Sequence, residues 1–170
     1  PVKWIEDRSE NLADGGQARE ERMTLSMAVD DDGTIRGLKV DLVMDQGAYP
    51  AAPIHASGAV GIMKVMWPGS YRIEAFDLQT RLVASNKGRY VPYRGPWANE
   101  TWTRERMVNV VARALGMSQH EIRLKNLFGD EDYPAAMVTG PMLDVTNSTR
   151  KTLETAIEHI DFEQFEKDRA

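Results

Sequence analysis

Arg89-Tyr90-Val91-Pro92-Tyr93-Arg94-Gly95-Pro96-Trp97-Ala98-Asn99-Glu100 separates a half of the chain patterned like strands from a half patterned like helices. Pro92 and Pro96 fix the dihedrals on either side of a Tyr-Arg-Gly core, and only Gly95 is free to take a positive φ or to let the backbone approach a ligand. A stiff loop presenting Tyr93, Arg94 and Trp97 suits a binding site. The same punctuation also shapes plain turns against a core.

Working back from the loop, Ala75 to Ala84 alternates apolar and polar residues and reads as a strand. Ahead of it, Ile54 to Met66 is rich in Ala, Gly, Val and Met and reads as a buried helix whose small residues allow close packing. Met23 to Val29 and Ile35 to Met44 both alternate, and Asp30-Asp31-Asp32-Gly33-Thr34 joins them, which predicts a β-hairpin. That acidic run lacks the spaced ligands of a calcium loop and is read as a solvated turn. Ser9 to Gly16 is read as a loop or a single helical turn. Val2 to Arg8 has strand-like composition and no initiator Met, which suggests a piece of a longer protein.

Beyond Pro96 the apolar period becomes about 3.6. Trp102, Met107, Val108, Val110, Val111, Ala114 and Leu115 form the expected buried face, and Arg104, Glu105, Asn109 and Arg113 the polar one. Gly116 is placed to end that helix, and Ser118 with Glu121 forms a capping box that opens a second, with Ile122 and Leu127 inward. Gly129 to Gly140 reads as loop, its Asp130, Glu131 and Asp132 as an exposed acidic turn. Asp144 is expected to cap a last helix, and Asp161 to restart a short helical tail. The expected architecture is therefore α+β: a hairpin and further strands packed with three to four helices. It is strand-rich over 1 to 92 and helix-rich over 96 to 170, within one unit spanning 1 to 170.

Composition narrows the function classes. The 170 residues are 42% hydrophobic and 28% charged with a net charge of −5, which argues against a dedicated nucleic-acid or anionic-membrane binder. No apolar run reaches the roughly 20 residues of a membrane span, so a cytoplasmic location is expected. Without cysteine the chain can supply no iron–sulfur ligand, zinc thiolate or thiol nucleophile. His55, His120 and His159 are too scattered for a metal site. No nucleophile elbow, phosphate loop or dinucleotide fingerprint is present. Arg94 beside Gly95 can grip an anion in a bidentate way, or pair with Glu100 to brace the helix start.

Pro1-Val2-Lys3-Trp4-Ile5-Glu6-Asp7-Arg8, Asp45-Gln46-Gly47-Ala48-Tyr49, Tyr93-Arg94-Gly95, Leu115-Gly116-Met117 and Ile122-Arg123-Leu124-Lys125-Asn126-Leu127 together resemble, in order and spacing, the molybdenum-cofactor-binding large subunit of the xanthine dehydrogenase, aldehyde oxidase and carbon monoxide dehydrogenase family. The resemblance covers about residues 1 to 145 and implies an internal piece of a larger cofactor-binding domain. It implies a molybdopterin-dependent oxidoreductase that oxidises an aldehyde or a heteroaromatic C–H with water-derived oxygen. The molybdenum-molybdopterin, for which the cytosine dinucleotide is one of the forms open, would sit in the parent protein, with iron–sulfur and FAD partner subunits receiving the electrons.

By the same resemblance Arg94 and Gly95 contact the cofactor, and Pro96 and Trp97 line the substrate pocket. Gln17, Ala18 and Arg19 match a less specific family segment. The family's glutamate base would lie beyond Ala170 and its Phe-Gly-Gly-Lys segment before Pro1, so no catalytic residue and no metal ligand is assigned here, and the piece alone is expected to be inactive. Gly95 stands where carbon monoxide dehydrogenases place an active-site cysteine. Pro96 and Trp97 replace the Phe-Gly or Ala-Gly of better-known branches, which leaves the small-molecule substrate open. Exposed apolar faces on such a piece favour self-association, homo-oligomers included. A non-catalytic α+β binding or assembly module, using Tyr93 to Trp97 on a protein or anionic partner, is the alternative.

Overall fold

A computed structural model describes residues 1 to 50, 55 to 92, 95 and 98 to 169, without the side chain of Asn147. The elements run α1 (Arg8–Asp14), β1 (Glu21–Val29), β2 (Ile35–Asp45), α2 (Ala56–Met66), β3 (Ala75–Val83), α3 (Ala98–Leu115), α4 (Gln119–Asn126), β4 (Ala135–Ala136), β5 (Met142–Leu143), α5 (Thr149–His159) and α6 (Phe162–Arg169). The expected helices correspond to α2 to α5, joined by the short α1 and α6, and the class is α+β.

The predicted hairpin is present: β1 and β2 pair antiparallel from Glu21 opposite Met44 to Val29 opposite Ile35. One irregularity, where Ala28 faces Gly37 and Val29 faces Ile35, shifts the alternation of β2. Ile35 can therefore point inward along with Leu38, Val40, Leu42 and Met44, all five nearly inaccessible. β3 lies parallel to β2, with Gly37 opposite Ala75 and Asp45 opposite Val83, and α2 supplies the crossover that a parallel pair requires. The core lies on one face of this three-stranded sheet, where Ala56, Ala59 and Met63 of α2 and Val108, Val111 and Ala112 of α3 meet β2. Arg22, Thr24, Lys39, Asp41, Asp77 and Gln79 are exposed on the other.

The acidic turn behaves as solvated loop chemistry predicts. Gly33 takes φ +87° and its N–H donates to the Asp30 carbonyl, while the Thr34 N–H donates to Asp32. That backbone donor is the chief reason the Asp32 carboxyl is held down to about 2. Asp30 pairs with Arg36, and Asp32 with Lys125.

Four local expectations are corrected. Residues 1 to 7 form no strand, because Asp7 is the N-cap of α1 and shares a capping box with Glu10, an Asp-x-x-Glu signal readable in the sequence. The helix read as buried, α2, buries only Ala56, Ala59 and Met63, and Ile62, Val65 and Met66 are at least 36% exposed. On α3 the buried row is Glu100, Thr103, Arg104, Val108, Val111 and Ala112; Trp102 is 68% exposed, and Val110 and Leu115 also face outward. Asp144 accepts the Thr146 N–H at a 3-10 turn over Val145–Asn147, and α5 starts only after Ser148.

Arg104 is buried for a reason that periodicity cannot show. Its Nη1 donates to the carbonyls of Trp67 at 2.9 Å and Met66 at 3.4 Å, its Nε pairs with Glu105 at 3.0 Å, and its guanidinium stands over the Tyr71 ring. It thus satisfies orphan carbonyls at the C-terminal end of α2, where the helix dipole favours a cation. The predicted capping box of Ser118 and Glu121 opens α4, Gly116 ends α3 at φ +68°, and α6 follows Asp161.

Candidate functional site

Three backbone segments converge where β-structure gives way to α3. Gln17 runs parallel to Tyr90: its N–H donates to the Arg89 carbonyl at 3.0 Å, and its own carbonyl accepts from Val91 N–H at 3.1 Å. The third segment is Asp45 to Ala48, where Tyr90 N–H donates to the Gln46 carbonyl at 3.1 Å and Ala48 N–H to that of Lys87 at 3.1 Å. Such close approach needs glycine. A Cβ on Gly47 would lie 2.0 Å from the Gly88 oxygen, and one on Gly16 2.6 Å from Val91.

These contacts place a set of polar side chains around the start of the loop. Arg19, at φ +73° and exposed, donates from Nη2 to the Gly95 carbonyl at 3.3 Å. Glu21, the first residue of β1, accepts from Asn99 at the start of α3 and, at 3.5 Å, from the hydroxyl of the buried Tyr90. Glu100, in the first turn of α3, is fully buried, and among the described residues neither of its carboxyl oxygens hydrogen-bonds to another residue.

The electrostatics follow from burial. Desolvation raises the Glu21 carboxyl, an effect opposed by its bond from Asn99 and by Arg19. The Tyr90 hydroxyl is pushed up to about 12 by burial and by Glu21 beside it. Desolvation pushes Glu100 up to about 7, with its own backbone N–H and Arg104 only partly offsetting it. The cluster can therefore hold a proton near neutral pH beside the exposed guanidinium of Arg19.

Of the expected site residues, Gly95 lies at this junction, in contact with Arg19. Arg94, Pro96 and Trp97, together with Tyr93, lie outside the described residues. So does the pairing of Arg94 with Glu100. Sequence reasoning missed Glu21 and Asn99. Glu21 carried a legible signal, since it extends the inward row Met23, Leu25, Met27 and Val29 by one acidic member. Among the described residues no group of three or more His, Cys, Asp or Glu could hold a metal ion. Nor, among them, is any helix long and apolar enough to cross a membrane.

Comparison with known proteins places this architecture. Residues 1–127 match the family model described as the molybdopterin cofactor-binding domain. The chain is 36% identical over 137 residues to the 6-hydroxypseudooxynicotine dehydrogenase complex subunit gamma of Paenarthrobacter nicotinovorans, covering 79% of this chain and 17% of that protein. It is 32% identical over 173 residues to the carbon monoxide dehydrogenase large chain of Hydrogenophaga pseudoflava, covering 100% and 21%. Among solved structures, quinoline 2-oxidoreductase from Pseudomonas putida 86 superposes with a TM-score of 0.88 at 28% identity, covering 97% of this chain and 21% of that one. The chain thus spans about a fifth of the length of these relatives. With a family match over residues 1–127, about three quarters of its length, and a matching fold, the chain belongs to the molybdopterin cofactor-binding domain family.

Proposed function

We propose that this chain forms one cofactor-holding edge of a molybdenum hydroxylase, an oxidoreductase whose parent protein oxidises a small molecule with water-derived oxygen. Supporting this is the match of residues 1–127 to the cofactor-binding family, combined with the fold of Arg19 onto Gly95. The residues present fit such a group in kind. A metal carried by an organic anion needs from the chain a cation, backbone polar groups and close backbone approach rather than protein ligands to the metal. Arg19 supplies the cation, Gly95 the backbone, and the glycine-tight junction of Gly16, Gly47 and Gly88 the close approach.

Arg94 and Gly95 are the cofactor-contacting residues of this reading, with Arg19 bonded to the Gly95 carbonyl, and Pro96 and Trp97 border the substrate. The bound cofactor supplies the two-electron redox chemistry. A cytosine-dinucleotide form of the cofactor, and iron–sulfur and FAD partner subunits as electron acceptors, complete the reading. The substrate class it favours is a nitrogen heteroaromatic, because one close structural neighbour is named for quinoline and shares 28% identity. The absence of cysteine at Gly95 sets it apart from carbon monoxide oxidation.

The test is elemental and chromatographic. The full-length protein containing this chain, purified with its partner subunits, is expected to carry molybdenum and a pterin in matching amounts and to reduce an artificial acceptor with N-heteroaromatic substrates. A fully active oxidoreductase free of molybdenum would overturn the reading.

A further inference from the structure

α3 and α4 supply part of the wall of a cleft of about 720 Å³, and α5 and α6 supply the rest. Leu153, Ala156, Ile157 and Ile160 recur on α5 at helical spacing, which gives that wall its apolar face. Asp161, at φ +46°, then turns the chain into α6, which adds Phe162 and Phe165. Phe162 meets the His120 ring of α4 edge-on, with centroids 4.9 Å apart. Ile160 and Phe165 stay 59% and 51% exposed on the cleft, so its apolar lining is unfilled by this chain. The volume lies within the roughly 300 to 1,000 Å³ of small-molecule sites. α5 and α6 lie beyond residue 127, where the family match ends. Arg113 stands about 20 Å along α3 from Asn99, given a rise of about 1.5 Å per residue, so the cleft is apart from the candidate cofactor site.

Charge narrows what the cleft can hold. Of the three arginines that line it, Arg123 pairs with Glu105 at 2.9 Å and Arg169 with Glu166 at 3.4 Å. The third, Arg113, is exposed and has no side-chain partner among the described residues. The cleft therefore carries one uncompensated cation on a chain of net charge −5. Two wall residues also hold polar atoms shielded from water: Asn109 Oδ1 and His120 Nδ1 lack a hydrogen-bond partner among the described residues. Such orphan atoms cost free energy until a partner reaches them, and a turn about the last torsion of either side chain presents its atom to the cleft.

We propose that this cleft binds a free amphiphilic monocarboxylate, its carboxylate on Arg113 and its apolar body along α5 and α6. One unpaired cation beside an apolar wall matches one anionic head on an apolar tail. A bilayer surface would call for several cations on an open face. Asn109 and His120 border the head and supply its further polar contacts. The site rests on neither the cofactor nor the function proposed above.

The experiment titrates decanoate, and decanol as its uncharged counterpart, into the full-length protein purified with its partner subunits. Wild type is expected to take up one decanoate per copy of this chain with a Kd below about 1 mM. Arg113→Gln is expected to weaken decanoate about fivefold, the upper end for an ion pair at an open mouth, and to leave decanol unchanged. Ala156→Trp, which fills the cleft from α5, is expected to abolish saturable binding of both, with exchange protection of α4 as the control for folding. If Ala156→Trp does not fold, a diazirine-bearing decanoate photolysed on wild type decides. Label within residues 109 to 123 or 153 to 169 sustains the proposal, and label confined to other peptides overturns it. Absence of saturable uptake by wild type overturns it as well, the rest of the parent protein then occupying the cleft. So do a decanoate affinity that folded Arg113→Gln leaves unchanged and one that falls together with that of decanol.

Discussion

A Gly47→Ala protein is expected to be recovered mostly unfolded or aggregated, with stability reduced by about 4 kcal/mol or more, at the exceptional end for a single substitution. Two independent costs act at this position. Gly47 has φ +75°, a region that L side chains rarely adopt. The added Cβ would lie 2.0 Å from the Gly88 oxygen, 2.8 Å from its carbonyl carbon and 3.1 Å from Arg89 Cα, all backbone atoms that no rotamer change can move. Relief requires separating the 45 to 48 segment from 87 to 90. That breaks the bonds from Ala48 N–H to Lys87 and from Tyr90 N–H to Gln46, and disturbs Asp45, which accepts from Gly47 N–H and the Ser85 hydroxyl.

Gly58→Ala is the matched control. A Cβ there meets nothing within 4 Å, and the residue sits inside α2. It is expected to stabilise by about 0.5 to 1 kcal/mol, the helix-propensity gain. Denaturant midpoints of the two variants, measured side by side, check both expectations. A Gly47→Ala midpoint within error of wild type would mean that the two segments are not packed backbone to backbone.

How far the sequence carried depends on which physical term dominates at each element. The hairpin was legible because the alternation in Met23 to Val29 and Ile35 to Met44 and the Asp-Gly turn state the same register. The capping box at Ser118 and the stop at Gly116 were equally direct, being local hydrogen-bond chemistry. The parallel placement of β3 was not legible, because alternation identifies a strand without naming its neighbour. On α3 hydropathy misled. It put Trp102 inside and Arg104 outside, whereas burial there is decided by Arg104 meeting the carbonyls of Met66 and Trp67, partners 37 and 38 residues earlier in the chain. The candidate site divides the same way. The Tyr93-Arg94-Gly95 loop stood out through its prolines and through resemblance. The polar residues around it, Arg19, Glu21, Asn99 and Glu100, come from separate segments, and only tertiary structure assembles them.

A buried amide on α4, that of Asn126, joins this helix to the hairpin turn, and removing it is the second large expected effect. Asn126 is 2% exposed, at the end of α4. Its Oδ1 accepts from Ile35 N–H at 2.8 Å, and its Nδ2 donates to the carbonyls of Gly33 and Ile122, each at 2.8 Å. These bonds join α4 to the turn that sets the register of β1 against β2. Asn126→Ala leaves the Ile35 N–H buried without a partner and removes both donors, and each unsatisfied buried group costs about 1 to 3 kcal/mol. A loss of about 3 kcal/mol in denaturant unfolding is expected, accompanied by faster exchange of the Ile35 amide. Arg36→Ala, at the adjoining position, gives the contrast. Its pairs with Asp30 and Glu74 are conspicuous, but the Arg36 side chain is 48% exposed and its partners 47% and 66%. Solvent screening limits such pairs to about 0 to 1 kcal/mol. If the two variants were equally destabilised, the hairpin would owe its attachment to surface charge rather than to the buried amide. A larger effect for Asn126→Ala, by a factor of about three or more, is what the buried geometry requires.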